Sequence, residues 1–194
     1  MKENKNNHEE QGAKMLEKNL VVARKNKRYK TLVKNTVYLL LAVAAISILL
    51  ATLFMPVFEI SGNSMNPAYE NGDIVAAVKT TKLQRGDVCC LYYNNHILVK
   101  RVIGLAGDVI MIDDDGNVSV NGEVISEPYV SEKQKGECDI EFPYTVPERT
   151  VFVLGDNRST FVDSRNSLIG CISYDEIVGK IVFRVWPFRS FGAV

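Results

Sequence analysis

The feature that most constrains this chain is an uncharged apolar run, TVYLLLAVAAISILLATLFM, at positions 36–55. A helix rises about 1.5 Å per residue, so this run spans ~30 Å, the thickness of the hydrocarbon core of a bilayer. Its few hydroxyl side chains can bond back to the helix backbone, and Pro56 ends the pattern. A core helix of a soluble protein would carry a polar stripe, which this run lacks. The run therefore predicts a transmembrane anchor at 36–56.

The charges on either side of the run predict its orientation. Ten Lys or Arg residues occur between Met1 and Lys34, and no further charge follows until Glu59. The positive-inside rule places such a basic flank in the cytoplasm. A cleaved secretory signal would lie nearer the N-terminus and end in small residues, which is not the pattern here. We therefore expect a cytoplasmic basic tail at 1–35, an uncleaved anchor, and an extracytoplasmic domain at 57–194.

Residues 57–194 predict a mainly β domain. Short runs rich in β-branched residues are separated by Gly, Asn and Asp, as in DIVAAVK, HILVKRVIG and TVFVLG. Tight turns are predicted at Asp113–Asn117 and at Asn121–Gly122. Helical periodicity is weak, and its best candidate is the stretch SYDEIVGK. These 138 residues are enough to bury one core, so we expect curved antiparallel sheets.

The composition argues against several other classes of protein. Lys plus Arg equals Asp plus Glu, at 23 each, so no basic excess suggests a nucleic-acid partner. The chain has two histidines and no C-x-x-C spacing, so we expect neither a metal nor a cofactor. Cys89 and Cys90 would point to opposite faces of a strand and are poor disulfide partners. Pairing of Cys138 with Cys171 stays open, because an extracytoplasmic setting permits disulfides.

Three segments contain candidate catalytic residues. Ser64 follows the anchor closely on a turn with Gly62, where a hydroxyl can lie beside backbone N–H groups, as an acyl-transfer nucleophile requires. Lys100 interrupts an apolar strand run, and burial there would lower its pKa so that the neutral amine could act as a general base. The third segment, Gly155–Arg158 with Asp163–Arg165, offers charged groups on turns. Each segment alone also fits a structural role: a turn serine, an edge-strand lysine, and a solvated turn with local ion pairs.

Together and in this order, the three segments resemble the bacterial type I signal peptidases of Gram-positive type, which use a Ser/Lys dyad. The family signatures S-M-x-P, K-R-V-I-G-x-x-G-D, G-D-N-R and D-S-R occur here at Ser64–Pro67, Lys100–Asp108, Gly155–Arg158 and Asp163–Arg165. The closing run FRVWPF, at Phe183–Phe188, also resembles Gram-positive members. The resemblance covers roughly residues 36–190 and includes the predicted anchor.

The resemblance implies a signal-peptidase-type β domain that works as a serine endopeptidase anchored in the cell membrane. Such an enzyme removes signal peptides from exported precursor proteins after small residues, at Ala-x-Ala-like sites. Ser64 would attack the carbonyl, and Lys100 would take the serine proton and later activate the deacylating water. Residues implied to bind the substrate or the oxyanion are Ser64, Gly62, Ser61, Met65 and Val99. Residues implied to support the site structurally are Arg101, Asp156, Arg158, Asp163 and Arg165.

The implied partners are secretory precursors, membrane lipid and the export machinery, with no nucleic acid. Two rival families differ from this chain: self-cleaving Ser/Lys repressors carry a DNA-binding domain in place of an anchor, and eukaryotic and archaeal signal peptidases have histidine at the base position.

Many type I members have serine where Gly62 and Phe161 stand, and proline at Ala106. Phe161 lacks the hydroxyl but could help to desolvate Lys100. Two alternatives stay open, a dedicated peptidase for a few surface proteins and a low-activity assembly partner for them.

Overall fold

The computed structural model describes the backbone of residues 3–194 and, within it, the side chains of residues 25, 27–50 and 54–194. The chain divides into two compact units, Met1–Ala51 and Thr52–Val194. A single helix, α1, runs over Glu3–Phe54. Most of the predicted basic tail and nearly all of the predicted anchor therefore lie in one continuous helix, while the first two residues of the tail lie outside the described residues.

The apolar part of α1 has the composition of a membrane span. Within the described residues it is the one helix long and apolar enough to cross a bilayer, with a mean hydropathy of 2.0 over Lys27–Leu50. Its large apolar side chains are exposed along this stretch. The hydroxyls of Thr36 and Ser47 donate to the carbonyls of Leu32 and Val43, so these polar groups are satisfied inside the helix. A helix of this kind suits lipid on all sides.

The second unit is built from β strands. Within residues 52–194, whose backbone is fully described, the strands in chain order are β1 (Val57–Glu59), β2 (Ile74–Val78), β3 (Val88–Tyr93), β4 (His96–Leu105), β5 (Val109–Ile112), β6 (Val118–Val120), β7 (Glu123–Val124), β8 (Tyr144–Thr145), β9 (Thr150–Leu154), β10 (Ile172–Ser173), β11 (Ile177–Trp186) and β12 (Gly192–Ala193). Two short 3₁₀ helices in the same range occupy Tyr174–Glu176 and Phe188–Ser190.

The strands form two antiparallel sheets. The larger has eight strands in the order β1-β2-β11-β3-β4-β9-β10, with β12 beside β11. The smaller has four strands in the order β7-β6-β5-β8. Bulges interrupt the ladders of β11 with β2 and β3 and of β4 with β9, and bulges bend the strands that carry them. The predicted fold class, mainly β with curved antiparallel sheets after an apolar N-terminal helix, is confirmed.

Two predicted turns are confirmed, and the best candidate for a helix forms only a short 3₁₀ turn. Asp113–Asn117 joins β5 to β6, and its first N–H donates to its last carbonyl at 3.1 Å. Asn121 and Gly122 join β6 to β7 with φ of 55° and 85°, in the left-handed region that Asn and Gly tolerate. The stretch SYDEIVGK makes only the 3₁₀ turn Tyr174–Glu176 and then enters β11, because ladder bonds to β2 and β3 outweigh its local preference.

The buried side chains form three clusters against the sheets, and β3 separates two of them. Cys90 belongs to the cluster that contains Met65 and Tyr69, whereas Cys89 belongs to another. The prediction that these two cysteines face opposite sides of a strand is therefore confirmed. All four cysteines are free thiols, so the structure shows no bridge between Cys138 and Cys171.

Candidate active site

Ser64 lies on the loop Ile60–Asp73, here called the nucleophile loop, which joins β1 to β2. The ends of the loop are tied together, because its first N–H donates to its last carbonyl at 2.8 Å. Gly62 has a φ of 94°, in the left-handed region that favours glycine. The Gly62 N–H donates to Asn71 Oδ1 at 2.8 Å. Gly62 therefore shapes the turn that precedes Ser64, and its own donor is already engaged.

The segment Gly155–Arg158 packs directly against the nucleophile loop. The Asn157 N–H donates to the Ser64 carbonyl at 3.0 Å, and the Asn157 side-chain amide donates to the Asn63 carbonyl at 3.2 Å. A Cβ added to Gly155 would lie 2.6 Å from the Ser64 carbonyl oxygen, so any larger residue would force a shift. The fold thus brings two motifs that are far apart in sequence into direct contact.

Lys100 lies in β4 opposite Cys89 of β3 and is only 2% exposed. Within the described residues its ammonium makes no hydrogen bond or ion pair. Burial lowers the pKa of Lys100 to about 8. Three nearby charges have weaker effects on this pKa: Asp163 and Asp156 raise it, and Arg165 lowers it. Desolvation disfavours the charged form and exceeds the attraction of the carboxylates. A lysine in this state is partly neutral near physiological pH.

A cavity of about 320 Å³ lies between the nucleophile loop and the part of β4 that precedes Lys100, and Lys100 itself is not among its lining residues. Ser64 lines it from the nucleophile loop, and Val99, the residue before Lys100, lines it from β4. Among the other residues implied to bind substrate, Ser61 and Met65 also line the cavity, whereas Gly62 does not. The remaining lining residues are Phe58, Glu59, Ile60, Asn95, His96, Ile97 and Leu98.

Two buried ion pairs fix the backbone of Gly155. Asp163 accepts from the Gly155 N–H at 3.2 Å and from two nitrogens of Arg165, each at 2.9 Å. Arg158 Nε donates to the Gly155 carbonyl at 3.0 Å, while its two other nitrogens bind the carboxylate of Glu127. Both polar backbone groups of Gly155 are therefore held by buried side chains, and the Ser64 carbonyl oxygen occupies the space that a Cβ at this position would need.

A third ion pair joins β4 to the same segment. Arg101 donates two hydrogen bonds to Asp156, at 2.8 and 2.6 Å. Burial raises the pKa of Asp156, against the opposing effect of Arg101. The Arg101 guanidinium also lies 4.0 Å above the ring of Tyr129, whose hydroxyl donates to Glu127 at 3.1 Å. Glu127 and Tyr129 were not among the residues predicted from sequence. The only indication that the sequence offers is general: an arginine that becomes buried requires a carboxylate partner.

Phe161 lies at a different cavity. It is 44% exposed and lines a space of about 350 Å³ together with Glu137, Cys138, Asp139 and Asn166. Its part in desolvating Lys100 stays a prediction.

Within the described residues, no group of three or more His, Cys, Asp or Glu side chains is placed to hold a metal ion.

Comparisons with known proteins agree with the motifs. The family model described as signal peptidase, peptidase S26, matches residues 29–186. This chain belongs to that family. It is 36% identical over 165 residues to signal peptidase I of Bacillus licheniformis, covering 78% of this chain and 87% of that protein. It is 38% identical over 160 residues to signal peptidase I of Bacillus caldolyticus, covering 73% and 86% respectively.

Two further relatives show a similar level of identity. Signal peptidase IB of Staphylococcus aureus is 37% identical over 154 residues, which cover 69% of this chain and 79% of that protein. A crystal structure of a signal peptidase I from Enterococcus faecalis is 30% identical, with a TM-score of 0.44 over 51% of this chain and 96% of that one. The predicted membership is confirmed: this chain is a serine peptidase of the signal peptidase I type, the type that removes signal peptides from exported precursor proteins. Its apolar helix is consistent with anchorage in a membrane.

Proposed function

We propose that the peptidase cuts its precursors through a Ser64–Lys100 acyl-enzyme mechanism. The observation that carries the proposal is the state of Lys100, a buried lysine with a lowered pKa on the strand whose preceding residues share a cavity with Ser64. A solvated lysine is protonated at neutral pH and cannot accept a proton. Burial supplies a fraction of neutral amine, which a serine hydroxyl requires as its base.

In the first half of the reaction, the neutral amine of Lys100 takes the proton of the Ser64 hydroxyl while its oxygen attacks the scissile carbonyl. The negative charge that develops on the carbonyl oxygen is stabilised by the backbone N–H of Ser64, which donates no hydrogen bond elsewhere in the described structure. The carbon–nitrogen bond then breaks, and the ammonium of Lys100 gives its proton to the departing amine. An ester between Ser64 and the signal peptide remains.

In the second half, Lys100 is neutral again and takes a proton from a water molecule as that water attacks the ester carbonyl. The ester bond breaks, Ser64 regains its proton from Lys100, and the signal peptide leaves with a new carboxylate. No further donor of electrons or protons is required. Gly62, where many relatives have serine, contributes no hydroxyl to the oxyanion, and its N–H is bound to Asn71.

Two free strand edges beside the cavity support binding of the substrate as an extended chain. Among the described strands, β1 pairs with β2 alone and is an edge strand of the large sheet. The outer part of β4, His96–Val99, pairs with β3 on one side, whereas pairing with β9 begins only at Arg101. Both edges contribute residues to the cavity. Exposed strand edges bind peptides through backbone hydrogen bonds, and side-chain pockets then select the sequence.

The size of the cavity supports a preference for small side chains. At about 320 Å³ it lies at the lower end of ligand sites, and it is bordered by apolar residues such as Met65 and Val99. A pocket of this size selects mainly by excluding bulk. We infer cleavage after Ala-x-Ala-like sequences, in which the small residues enter the cavity.

The proposed topology follows from charge and sequence distance. The basic tail at 1–35 faces the cytoplasm, the anchor lies at 36–56, and the catalytic domain at 57–194 is extracytoplasmic. Ser64 lies nine residues beyond Met55, the last residue of the apolar run. This short separation in sequence supports a nucleophile that works near membrane lipid, where a precursor delivered by the export machinery would present its cleavage site.

The test is to incubate the purified full-length chain with a secretory precursor that carries an Ala-x-Ala site and to map the cut by mass spectrometry. We expect cleavage after the second alanine, and none by Ser64→Ala or Lys100→Ala. Circular dichroism should show that both variants remain folded. Full activity in Lys100→Ala would refute the dyad, and cleavage restricted to a few surface proteins would favour the dedicated peptidase.

A further inference from the structure

Arg184 reaches from β11 into the nucleophile loop. Its backbone pairs with Val75 of β2, and its side chain is 16% exposed. The guanidinium meets the second half of the loop at three points. Nη2 donates to the Ala68 carbonyl at 2.5 Å, Nε lies 3.6 Å from Asp73 Oδ2, and the group lies 4.6 Å above the ring of Tyr69.

These contacts are connected to Ser64 through the loop itself. The Tyr69 N–H donates to the Met65 carbonyl at 2.9 Å, which joins the part bound by Arg184 to the residue after the nucleophile. Met65 and Tyr69 are each 1% exposed and belong to the same core cluster. A displacement at Tyr69 would therefore be transmitted to Met65 and then to Ser64, because close-packed side chains move together.

The first half of the loop is held in a different way, by the Asn157 bonds to Asn63 and Ser64. The loop has no helix or strand of its own, so its shape depends on such ties from neighbouring elements. We propose that Arg184 is a positioning residue for the Ser64 hydroxyl, holding the second half of the nucleophile loop as Asn157 holds the first. The inference rests on the proposed function of Ser64.

Removal of the guanidinium would leave several groups without their partner. Asp73 is a buried carboxylate whose side chain otherwise accepts from the Glu70 N–H at 3.1 Å. A buried charge that loses its ion-pair partner is strongly destabilising locally. The Ala68 carbonyl would lose its donor, and the Tyr69 ring would lose its cation. The loop should therefore sample other positions, and acylation slows steeply when a nucleophile is displaced.

Arg189, in the 3₁₀ helix Phe188–Ser190, contacts the same loop and provides a matched control. Its Nη2 lies 3.6 Å from Glu70 Oε2, and the two side chains are 75% and 64% exposed. Arg189→Gln thus removes the same charge from the same neighbourhood without disturbing a buried contact, and exposed pairs contribute little. Arg184→Lys retains a charge near Asp73 but loses the planar group that contacts three parts of the loop.

The experiment compares full-length Arg184→Gln, Arg184→Lys and Arg189→Gln in detergent micelles, using a precursor with an Ala-x-Ala site. For Arg184→Gln we expect kcat to fall by about 10- to 100-fold, because a misplacement of about 1 Å has an effect of that size. KM should change by less than about twofold, since Arg184 does not line the substrate cavity. Arg184→Lys should lie between wild type and Arg184→Gln, and Arg189→Gln should match wild type.

Two further readouts separate positioning from general destabilisation. The pH midpoint of kcat should stay that of wild type, because the charges that act on Lys100 are Asp163, Arg165 and Asp156. Amide hydrogen exchange should accelerate only at residues 66–73 in Arg184→Gln. A wild-type kcat, a shifted midpoint, or faster exchange throughout the β domain would each overturn the inference. If wild type cleaves no precursor, the proposed function fails. Hydrogen exchange then still tests the role of Arg184 in the loop: faster exchange confined to residues 66–73 in Arg184→Gln supports it, and unchanged exchange there contradicts it.

Discussion

Replacing Lys100 by methionine should abolish activity and yet make the folded state more stable at neutral pH. Methionine has nearly the length and volume of lysine without the ammonium group. Burial lowers the pKa of Lys100 from an ordinary 10.5 to about 8, a difference that corresponds to about 3 kcal/mol. Because Lys100 is 2% exposed, solvent screening removes little of this penalty. The free energy of unfolding of Lys100→Met should therefore exceed that of wild type by up to about 3 kcal/mol at pH 7.

The stability gap should close as the pH rises. Below about pH 8 the lysine is protonated in both the folded and the unfolded chain, so the whole penalty of burying the charge is present. Between about pH 8 and 10.5 the folded chain has released this proton while the unfolded chain still holds it. The unfolded state then binds more protons, so the stability of wild type rises with pH. Above this window both forms are neutral and the penalty is gone.

The measurement is urea unfolding of the full-length chain in micelles at pH 7 and pH 10, followed by the fluorescence of Trp186, the only tryptophan. Wild type and variant differ only at position 100, so the change of their stability difference with pH reports on Lys100. Lys180→Met is a suitable control, because Lys180 lies 2.7 Å from Asp87 and is 31% exposed, so its loss should not stabilise the fold. A Lys100→Met variant that is no more stable than wild type at pH 7, or a gap that is as large at pH 10 as at pH 7, would refute the reasoning.

Two further predictions concern the chemistry. The kcat/KM for precursor cleavage should rise about tenfold between pH 7 and pH 9, with a midpoint near the Lys100 pKa of about 8. A flat pH profile would argue against Lys100 as the base. Gly155→Ala should lower kcat by about 10²-fold, because its Cβ would lie 2.6 Å from the Ser64 carbonyl oxygen. Gly179→Ala, with a comparable clash of 2.5 Å against the Val78 carbonyl oxygen, should lower the melting temperature without this loss of kcat.

The sequence predicts best where local chemistry decides the structure. The turn at Asn121–Gly122 follows from residues that tolerate left-handed backbone, and the structure confirms it. Strand alternation predicts that Lys100 faces away from Val99 and Arg101, and only Lys100 of the three is fully buried. Both features depend on a few consecutive residues.

The sequence predicts least where distant residues meet. Arg184 and its acceptor Ala68 are 116 positions apart, and Arg158 lies 31 positions from Glu127. Nothing in the local sequence of either arginine indicates which group it contacts. The helix candidate SYDEIVGK is mostly strand for the same reason, because strand pairing with β2 and β3 decides the structure of β11. Such contacts depend on topology, which local patterns do not specify.

The arginines of the site explain how a lysine close to carboxylates keeps a low pKa. Asp163 and Asp156 both raise the pKa of Lys100, and an ion pair with either would keep the amine protonated. Each carboxylate instead receives two hydrogen bonds from an arginine, Asp163 from Arg165 and Asp156 from Arg101. Arg165 also lowers the pKa of Lys100 directly, against the effect of the carboxylates, and desolvation has the largest effect. The same pairs hold the segment that contacts Ser64, so one network both supports the proposed nucleophile and allows the pKa of its proposed base to stay low.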